Sequence, residues 1–321
     1  MENLTILFLL FLAGLGFLVL GAGWLVKGAT DLAYLLGMRL LVIGLIFVAF
    51  GTSCPEVGVS ILAAIHGKSG IALGNAIGSN IVNIGLVLGL CALVMPIKIN
   101  RELLRREIPI VLLSALGLYV LCFVGRVISR IDAAVLLLGF IIYLVYIFYK
   151  ANRQKQLDEE LKDSAMSLVD KKMNKPKASS IFLLGLVILM AGAQLMVSTG
   201  SRIALRLGIS EVVLGITIFA LGTSLPELAV SLAGVFKKRE DIAVGNVLGS
   251  NIFNILLVVG LAAMINPIRI ESQTIFFEMP VLIIFTLATF LFMKTRGLVE
   301  RWEGAVLLLS YIGFIVFLFL V

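Results

Sequence analysis

The chain alternates between long apolar runs and short polar connections. Ten apolar segments can be read from it, each roughly 18 residues or longer, enough to cross a hydrocarbon core of about 30 Å at 1.5 Å per residue of helix. The pattern therefore predicts an all-α membrane protein with ten transmembrane helices. The segments are 4–26, 37–65, 71–95, 107–125, 131–149, 180–200, 208–236, 242–265, 276–293 and 303–321.

Composition supports a lipid environment. Hydrophobic residues make up 60% of the chain, charged residues only 14%, and the mean hydropathy is +1.12, whereas soluble domains carry about 25% charged residues. The net charge of +7 does not indicate a nucleic-acid partner, because the basic residues lie in short loops without interleaved aromatic residues. The expected partner is the lipid bilayer.

Two blocks of the chain repeat each other. Residues 51–90 and 222–261 align without a gap and share 21 of 40 positions, with a constant offset of 171. The halves are thus predicted as repeats, 1–150 and 181–321, joined by a charged linker at 151–180. Five spans per half is an odd number, so the second repeat must enter the membrane from the opposite side. Such inverted repeats are typical of secondary transporters.

Loop charges predict the orientation. With the N-terminus outside, the inner loops hold 20 Lys and Arg residues, Lys27 and Lys150 among them, and the outer loops hold six. The positive-inside rule then places both termini outside and the linker in the cytoplasm. The expected location is the cell membrane, with multiple passes.

Each repeat contains an interrupted helix. Gly51-Thr52-Ser53-Cys54-Pro55-Glu56 lies in the middle of the second span, and Gly222-Thr223-Ser224-Leu225-Pro226-Glu227 lies in the seventh. Proline removes a backbone donor and clashes with the preceding turn. We therefore expect carbonyls near Ala49 and Ala220 to leave the helical ladder and to accept another partner, such as a cation.

The acids in these breaks carry the functional signal. A kink alone would explain the glycine and proline but not Glu56 and Glu227, because an ionised carboxylate at the bilayer centre costs at least ~2.5 kcal/mol. Two acids at equivalent positions indicate a cation site. Glu107 and Glu278, by contrast, begin later spans and are predicted to lie in first helical turns near the interface, outside the site.

The span after each break carries a second motif. Its asparagine and serine residues recur every four positions and share a helix face; they are Asn75, Ser79 and Asn83, with Asn246, Ser250 and Asn254 as their copies. Interhelical hydrogen bonding is favoured for Asn75 and Asn246, and ligation for the other four. For Asn80 and Asn251 both roles stay open. Glycines beside this face, such as Gly74 and Gly78, would let another helix approach closely.

The predicted ligands are hard oxygen atoms. Carboxylates, hydroxyls, amides and carbonyls suit calcium, sodium or magnesium rather than zinc or copper. Two carboxylates would balance one divalent or two monovalent ions. No cofactor motif is visible, so no cofactor is expected.

At these motifs the sequence resembles the sodium/calcium exchanger family of the calcium/cation antiporter superfamily, whose two alpha repeats match GTSCPE with GNAIGSNIVN and GTSLPE with GNVLGSNIFN. The resemblance implies four repeat helices in a core across which helices one and six slide. Potassium-dependent members of the superfamily typically carry aspartate at the position of Asn254. The ligands implied for a central site are Glu56, Glu227, Asn83 and Asn254, and those implied for flanking sodium sites are Thr52, Ser53, Thr223, Ser224, Ser79, Ser250 and the carbonyls of Ala49 and Ala220.

These features predict an antiporter that exchanges sodium for calcium by alternating access. The alternative is an exchanger of calcium, or another divalent cation, for protons, but those relatives typically show a GN-x-x-E motif where this chain has GTS-x-PE. A passive channel is disfavoured by a midplane site in inverted repeats. An enzyme is disfavoured because no nucleophile–base pair is visible. Cys54, where the family usually has leucine, is expected to alter packing more than ligation.

Overall fold

The computed structural model describes residues 4–99, 103–157, 173–206 and 220–320. Within these ranges, five π-helical turns interrupt or precede the α-helices, at Gly44–Val48, Asn83–Leu88, Leu103–Glu107, Phe253–Val258 and Thr274–Glu278. The short strands are β1 (Ile97–Lys98), β2 (Val127–Ile128), β3 (Ile268–Arg269) and β4 (Leu298–Val299). The α-helices are α1 (Leu4–Leu36), α2 (Leu40–Ile43), α3 (Ala49–Thr52), α4 (Cys54–Ile65), α5 (Ser69–Val82), α6 (Gly89–Val94), α7 (Ile108–Gly125), α8 (Arg130–Leu157), α9 (Lys175–Arg206), α10 (Ala220–Thr223), α11 (Leu225–Phe236), α12 (Glu240–Ile252), α13 (Val259–Ile265), α14 (Met279–Arg296) and α15 (Arg301–Leu320).

The predicted spans correspond closely to these helices. In the described residues, eight helices are long and apolar enough to cross a membrane, and a bent pair, Leu40–Thr52 with Cys54–Ile65, forms a ninth candidate with a 44° bend. The remaining prediction, 208–236, lies partly outside the described residues. From Ala220 onward it is helical, with a break at Ser224.

Helix bounds repeat between the halves. The offset of 171 relates α4 to α11 and α7 to α14 at both ends. Strand pairing is reciprocal as well: β1 pairs with β4, and β2 with β3, both antiparallel, with Ile97 opposite Val299 and Ile128 opposite Ile268. Strand β3 is the second-half equivalent of β1, and β4 is the equivalent of β2. Each pair therefore joins one strand of the first half to one strand of the second, and the two pairs are equivalent to each other. This is the pattern of two halves related by a two-fold axis.

Helices α1 and α9 pack backbone to backbone through glycine. A Cβ on Gly21 would lie 2.3 Å from the backbone nitrogen of Leu189, and one on Gly185 would lie 2.4 Å from that of Leu25. Small residues at a helix interface permit this close approach, which supplies van der Waals contact in lipid. The two helices are therefore one closely packed pair, built from equivalent positions of the two halves.

Some basic residues predicted in loops lie within helices instead: Lys27, Lys150, Arg202 and Arg206 are among them. Lys27 was expected in a loop after a first helix ending at Val26, but α1 continues to Leu36 and Lys27 is an exposed residue within it. The extension is explained by packing, since a Cβ on Gly28 would meet the backbone of Phe182 at 2.5 Å. Lys150 was expected at a loop, but it lies within α8 and is only 8% exposed.

Lys150 is buried because it pairs with an acid. Its Nζ lies 3.3 Å from Oε1 of Glu107, which is fully buried. The prediction that Glu107 is a first-turn residue near the interface was therefore wrong. Glu107 is the last residue of a π-helical turn, and its buried side chain forms a salt bridge with Lys150. Glu278, at the equivalent position, instead accepts a hydrogen bond from the hydroxyl of Thr274 at 3.1 Å. The Lys150–Glu107 salt bridge lies outside the candidate ion site.

Candidate ion-binding site

The two helix breaks have the same backbone geometry. Ser53 lies between α3 and α4 with φ −83° and ψ 5°, and Ser224 lies between α10 and α11 with φ −91° and ψ 4°. Each is followed two residues later by a proline in the first turn of the next helix, where the missing N–H breaks no intrahelical bond. The glutamate after each proline is thereby placed in the first turn of the second half-helix.

The Ala49 carbonyl itself stays in the helical ladder. It accepts the backbone N–H of Ser53 at 2.9 Å and the hydroxyl of Thr52 at 3.3 Å. Proline removes the donor to the residue four positions earlier, which is Gly51, so the carbonyl freed by Pro55 is that of Gly51. Ala220, at the position equivalent to Ala49, begins α10.

The structure buries the predicted ligand side chains. Thr223 is 8% exposed, and each of the others is at most 1% exposed. They come from the two breaks and from the helices that follow them. The side chains are those of Glu56, Glu227, Asn83, Asn254, Thr52, Ser53, Thr223, Ser224, Ser79 and Ser250.

Hydroxyl groups connect the two halves. Oγ1 of Thr52 lies 3.5 Å from Oγ of Ser250, and the equivalent pair, Ser79 and Thr223, is 3.4 Å apart. Oε1 of Glu227 accepts the hydroxyls of Ser53 and Ser250, each at 3.3 Å. The breaks of the two repeats therefore meet at one place, as expected for a site shared between them.

Glu56 has a different environment from Glu227. The hydroxyls of Ser79 and Thr223 face its carboxylate, but neither Glu56 oxygen completes a hydrogen bond among the described residues. Both carboxylates are fully buried where the two breaks meet, and no salt bridge among the described residues involves either of them. Two buried acids in one site need a compensating cation or proton.

Several buried oxygens point to that cation. Buried polar atoms are almost always hydrogen-bonded, because leaving one unpaired costs about 1–3 kcal/mol. Of the eleven buried side-chain atoms without a hydrogen-bond partner among the described residues, six belong to predicted ligands and can coordinate a cation, and the other five are scattered on residues outside the set. Among the described residues, those without a hydrogen-bond partner include both carboxylate oxygens of Glu56, Oε2 of Glu227, Oδ1 of Asn83, Oδ1 of Asn254 and Oγ of Ser224.

Asn75 and Asn246 form the predicted interhelical hydrogen bonds, each to the helix that follows the break in its own repeat. The Asn75 amide donates to the Glu56 carbonyl at 3.1 Å and to Oγ of Ser60 at 2.9 Å. Asn246 makes the equivalent bonds at 3.3 Å and 3.1 Å, and its Oδ1 also accepts the Thr52 hydroxyl at 2.9 Å. The close helix approach predicted at Gly74 and Gly78 is absent among the described residues, since a Cβ added at either would meet nothing within 4 Å. It is present in the second repeat, where a Cβ on Gly249 would lie 2.4 Å from the Leu45 carbonyl oxygen.

Sequence reasoning missed the π-helical turns at the site. Asn83 begins the turn Asn83–Leu88, and Asn254 is the second residue of the turn Phe253–Val258. A π-turn widens the helix and shifts the side chains that follow it, and such turns are frequent at functional sites. No residue pattern in these segments indicates a π-turn rather than a continuous α-helix.

Buried acids, hydroxyls and amides shared between two related halves of a helical membrane protein define a membrane ion-transport protein. Comparison with known proteins gives the family. The family model described as "Sodium/calcium exchanger protein" matches residues 6–149 and 177–320. The chain therefore belongs to the sodium/calcium exchanger family, which is a family of transporters and not of enzymes.

Individual relatives match over nearly the whole chain. The "Putative antiporter CaxA" of Alkalimonas amylolytica is 38% identical, with 96% of this chain and 97% of that protein covered. The "Sodium/calcium exchanger MaX1" of Methanosarcina acetivorans is 36% identical, with 98% and 99% covered. The solved structure of the sodium-calcium exchanger NCX_Mj soaked with zero Na+ and Ca2+ is 35% identical, covers 98% of this chain and 100% of that one, and has a TM-score of 0.85.

Proposed function

We propose that this protein exchanges sodium for calcium across a membrane by alternating access. The observation that carries the proposal is the set of unpartnered, fully buried oxygens on Glu56, Glu227, Asn83 and Asn254. Each repeat contributes one acid and one asparagine to this set, and the two acids supply the formal charge that a calcium ion would balance. Family membership and the names of the relatives support sodium and calcium as the two transported ions.

The ligands divide into a central and a flanking group. Calcium would bind the two carboxylates and the two free amide oxygens, since it takes six to eight oxygen ligands in flexible geometry. Sodium ions would use the same acids together with the hydroxyls around them. The flanking ligands we propose are Thr52, Ser53, Ser79, Thr223, Ser224 and Ser250, with the carbonyls of Ala49 and Ala220. The Thr52 hydroxyl contacts both the Ala49 carbonyl and Oδ1 of Asn246. If it donated to Asn246 alone, one lone pair of the Ala49 carbonyl would be left for a cation.

Shared ligands would couple the two ions. Calcium and sodium would compete for the same two carboxylates, so one must leave before the other can bind. The site would therefore carry either calcium or its full set of sodium ions at one time. Alternating access then requires the site to open to one side at a time. The closely packed pair of α1 and α9 is the element we propose to slide across the core, because backbone contact through glycine makes it one body.

The experiment is calcium uptake into proteoliposomes. Purified protein would be reconstituted, and radioactive calcium uptake would be measured with an outward sodium gradient, with a proton gradient, or with neither. We expect rapid uptake with the sodium gradient only. Uptake driven equally well by the proton gradient would contradict sodium coupling and support exchange of calcium for protons.

We further propose that the repeats are inverted, with both termini outside and the linker 151–180 in the cytoplasm of a cell-membrane protein. The reciprocal pairing of strands supports a two-fold relation between the halves. With five spans in each half, that axis would lie in the membrane plane. The basic-residue bias also survives when Lys27, Lys150, Arg202 and Arg206 are left out of the count, since 18 inner residues then face four outer ones.

Two exposed turns test this orientation. Lys68 and Lys238 lie in equivalent turns, after α4 and α11 respectively, and both side chains are exposed. In a variant without native cysteines, Lys68→Cys should react with an impermeant thiol reagent added to intact cells, and Lys238→Cys should react only after lysis. Cys54→Leu is the matched background change, since leucine occupies the equivalent position 225. The opposite labelling pattern would contradict the topology.

A further inference from the structure

Two asparagines next to the site have no role in the function proposed above. Asn80 lies in α5, one turn before Asn83, and Asn251 lies in α12, one turn before Asn254. All four side chains are fully buried. The residue types leave two roles open for Asn80 and Asn251, ion ligation or interhelical hydrogen bonding. The hydrogen bonds of the four amides decide between them.

Backbone carbonyls fix the orientation of the first pair. Nδ2 of Asn80 donates to the Asn251 carbonyl at 3.2 Å, and Nδ2 of Asn251 donates to the Asn80 carbonyl at 3.5 Å. A carbonyl can only accept, so the nitrogen of each amide must face it. The oxygen of each amide therefore has to point the other way, and the assignment of O and N is settled by chemistry rather than by choice.

That oxygen in turn orients the neighbouring residue. Oδ1 of Asn80 accepts Nδ2 of Asn254 at 3.1 Å, and Oδ1 of Asn251 accepts Nδ2 of Asn83 at 3.2 Å. With their nitrogens held in this way, Asn83 and Asn254 must direct their own oxygens elsewhere. Those oxygens are buried and have no hydrogen-bond partner among the described residues.

We propose that Asn80 and Asn251 are positioning residues for ion binding. Through a chain from backbone carbonyl to amide to amide, each one turns the oxygen of an asparagine in the opposite repeat toward the cation. Rotating Asn254 by half a turn would place its oxygen against Oδ1 of Asn80, two acceptors without a proton between them. The inference rests on the proposed function, since it assumes that the free oxygens of Asn83 and Asn254 bind calcium.

The arrangement also joins the repeats at the site. Asn80 is bonded to Asn251 and Asn254, so the ligand of one half is held by a residue of the other half. Partners that orient a metal ligand typically change metal affinity by 10–100-fold when they are removed. The same range is the expected effect here, without any loss of a direct ligand.

A double-mutant cycle tests the proposal on the whole purified protein. Equilibrium binding of radioactive calcium would be measured for the unaltered protein, Asn80→Ala, Asn254→Ala and the double variant. We expect Asn80→Ala to weaken calcium binding about tenfold or more and the double variant to bind no more weakly than Asn254→Ala. If Asn80 acts only through Asn254, its loss has no effect once Asn254 is absent.

Asn75→Ala is the matched control. It removes an amide from the same helix, but that amide bonds Ser60 and the Glu56 carbonyl, so any effect should add to that of Asn254→Ala. Additive effects for Asn80, or normal binding by Asn80→Ala, would overturn the positioning role alone. Absence of calcium binding by the unaltered protein would overturn the proposed function and this inference together.

The equivalent pair gives a second test. If Asn80→Ala does not elute as a folded monodisperse protein, Asn251→Ala with Asn83→Ala forms the same cycle in the other direction. The same lack of additivity is expected there. Full additivity in that cycle would overturn the proposal as well, because the two pairs have the same geometry.

Discussion

Glu56→Gln and Glu227→Gln should each abolish sodium-driven calcium uptake. Either change removes one of the two negative charges at a buried site while keeping the side-chain volume. Two unit charges 4 Å apart interact by about 4 kcal/mol at an effective dielectric constant of 20. Even half of that would lower calcium affinity about 30-fold, and sodium binding would weaken with it because the same oxygens serve both ions.

The two variants should fold normally. The amide oxygen of a glutamine at position 227 can still accept hydrogen bonds from the hydroxyls of Ser53 and Ser250. At position 56 no side-chain hydrogen bond to a described residue would be lost. Uptake would be measured in proteoliposomes at matched protein content, after elution as a monodisperse species. Glu271→Gln, at an exposed acid outside the site, should transport normally. Near-normal uptake by either site variant would remove that glutamate from the ligand set.

The position of the helix breaks could be predicted from the sequence. Proline has the same local effect in any context, so Pro55 and Pro226 indicated an interruption, which the structure places at Ser53 and Ser224. Duplication of the motif then identified the buried acids. Local chemistry was therefore sufficient to locate the centre of the candidate site.

Features set by tertiary contacts could not be predicted in this way. The end of α1 was placed ten residues too early, because Lys27 was interpreted as a loop residue when packing against α9 continues past it. The partner of Glu107, Lys150, is 43 residues away and carries no signal of proximity. A pattern along one helix does not show what the neighbouring helix presents to it.

The roles of the asparagines show the same limit within the site. Spacing placed Asn75, Asn83 and their copies on one helix face, but an amide can serve equally as glue or as ligand. The distinction depends on whether the amide oxygen or only the amide nitrogen is engaged in a hydrogen bond. Only the bonds between repeats, such as that from Asn254 to Asn80, show which oxygens are left free.

Calcium uptake should require sodium but not potassium. The candidate site has two formal negative charges, from Glu56 and Glu227, and the amides of Asn83 and Asn254 are neutral. Calcium alone neutralises the two acids, so a potassium ion would have no charge to compensate. A third carboxylate close to the other two would instead need an additional cation or a proton, since neighbouring like charges disfavour ionisation.

The measurement is sodium-driven calcium uptake with potassium replaced by choline on both sides of the liposome membrane. We expect the initial rate to be unchanged, and to fall to background when the sodium gradient is removed. Asn254→Asp is the informative companion variant, because it adds the third acid at the centre of the site; its uptake should become sensitive to potassium or to pH. Loss of uptake by the unaltered protein in choline would show that the charge of the two acids does not set the ion requirement.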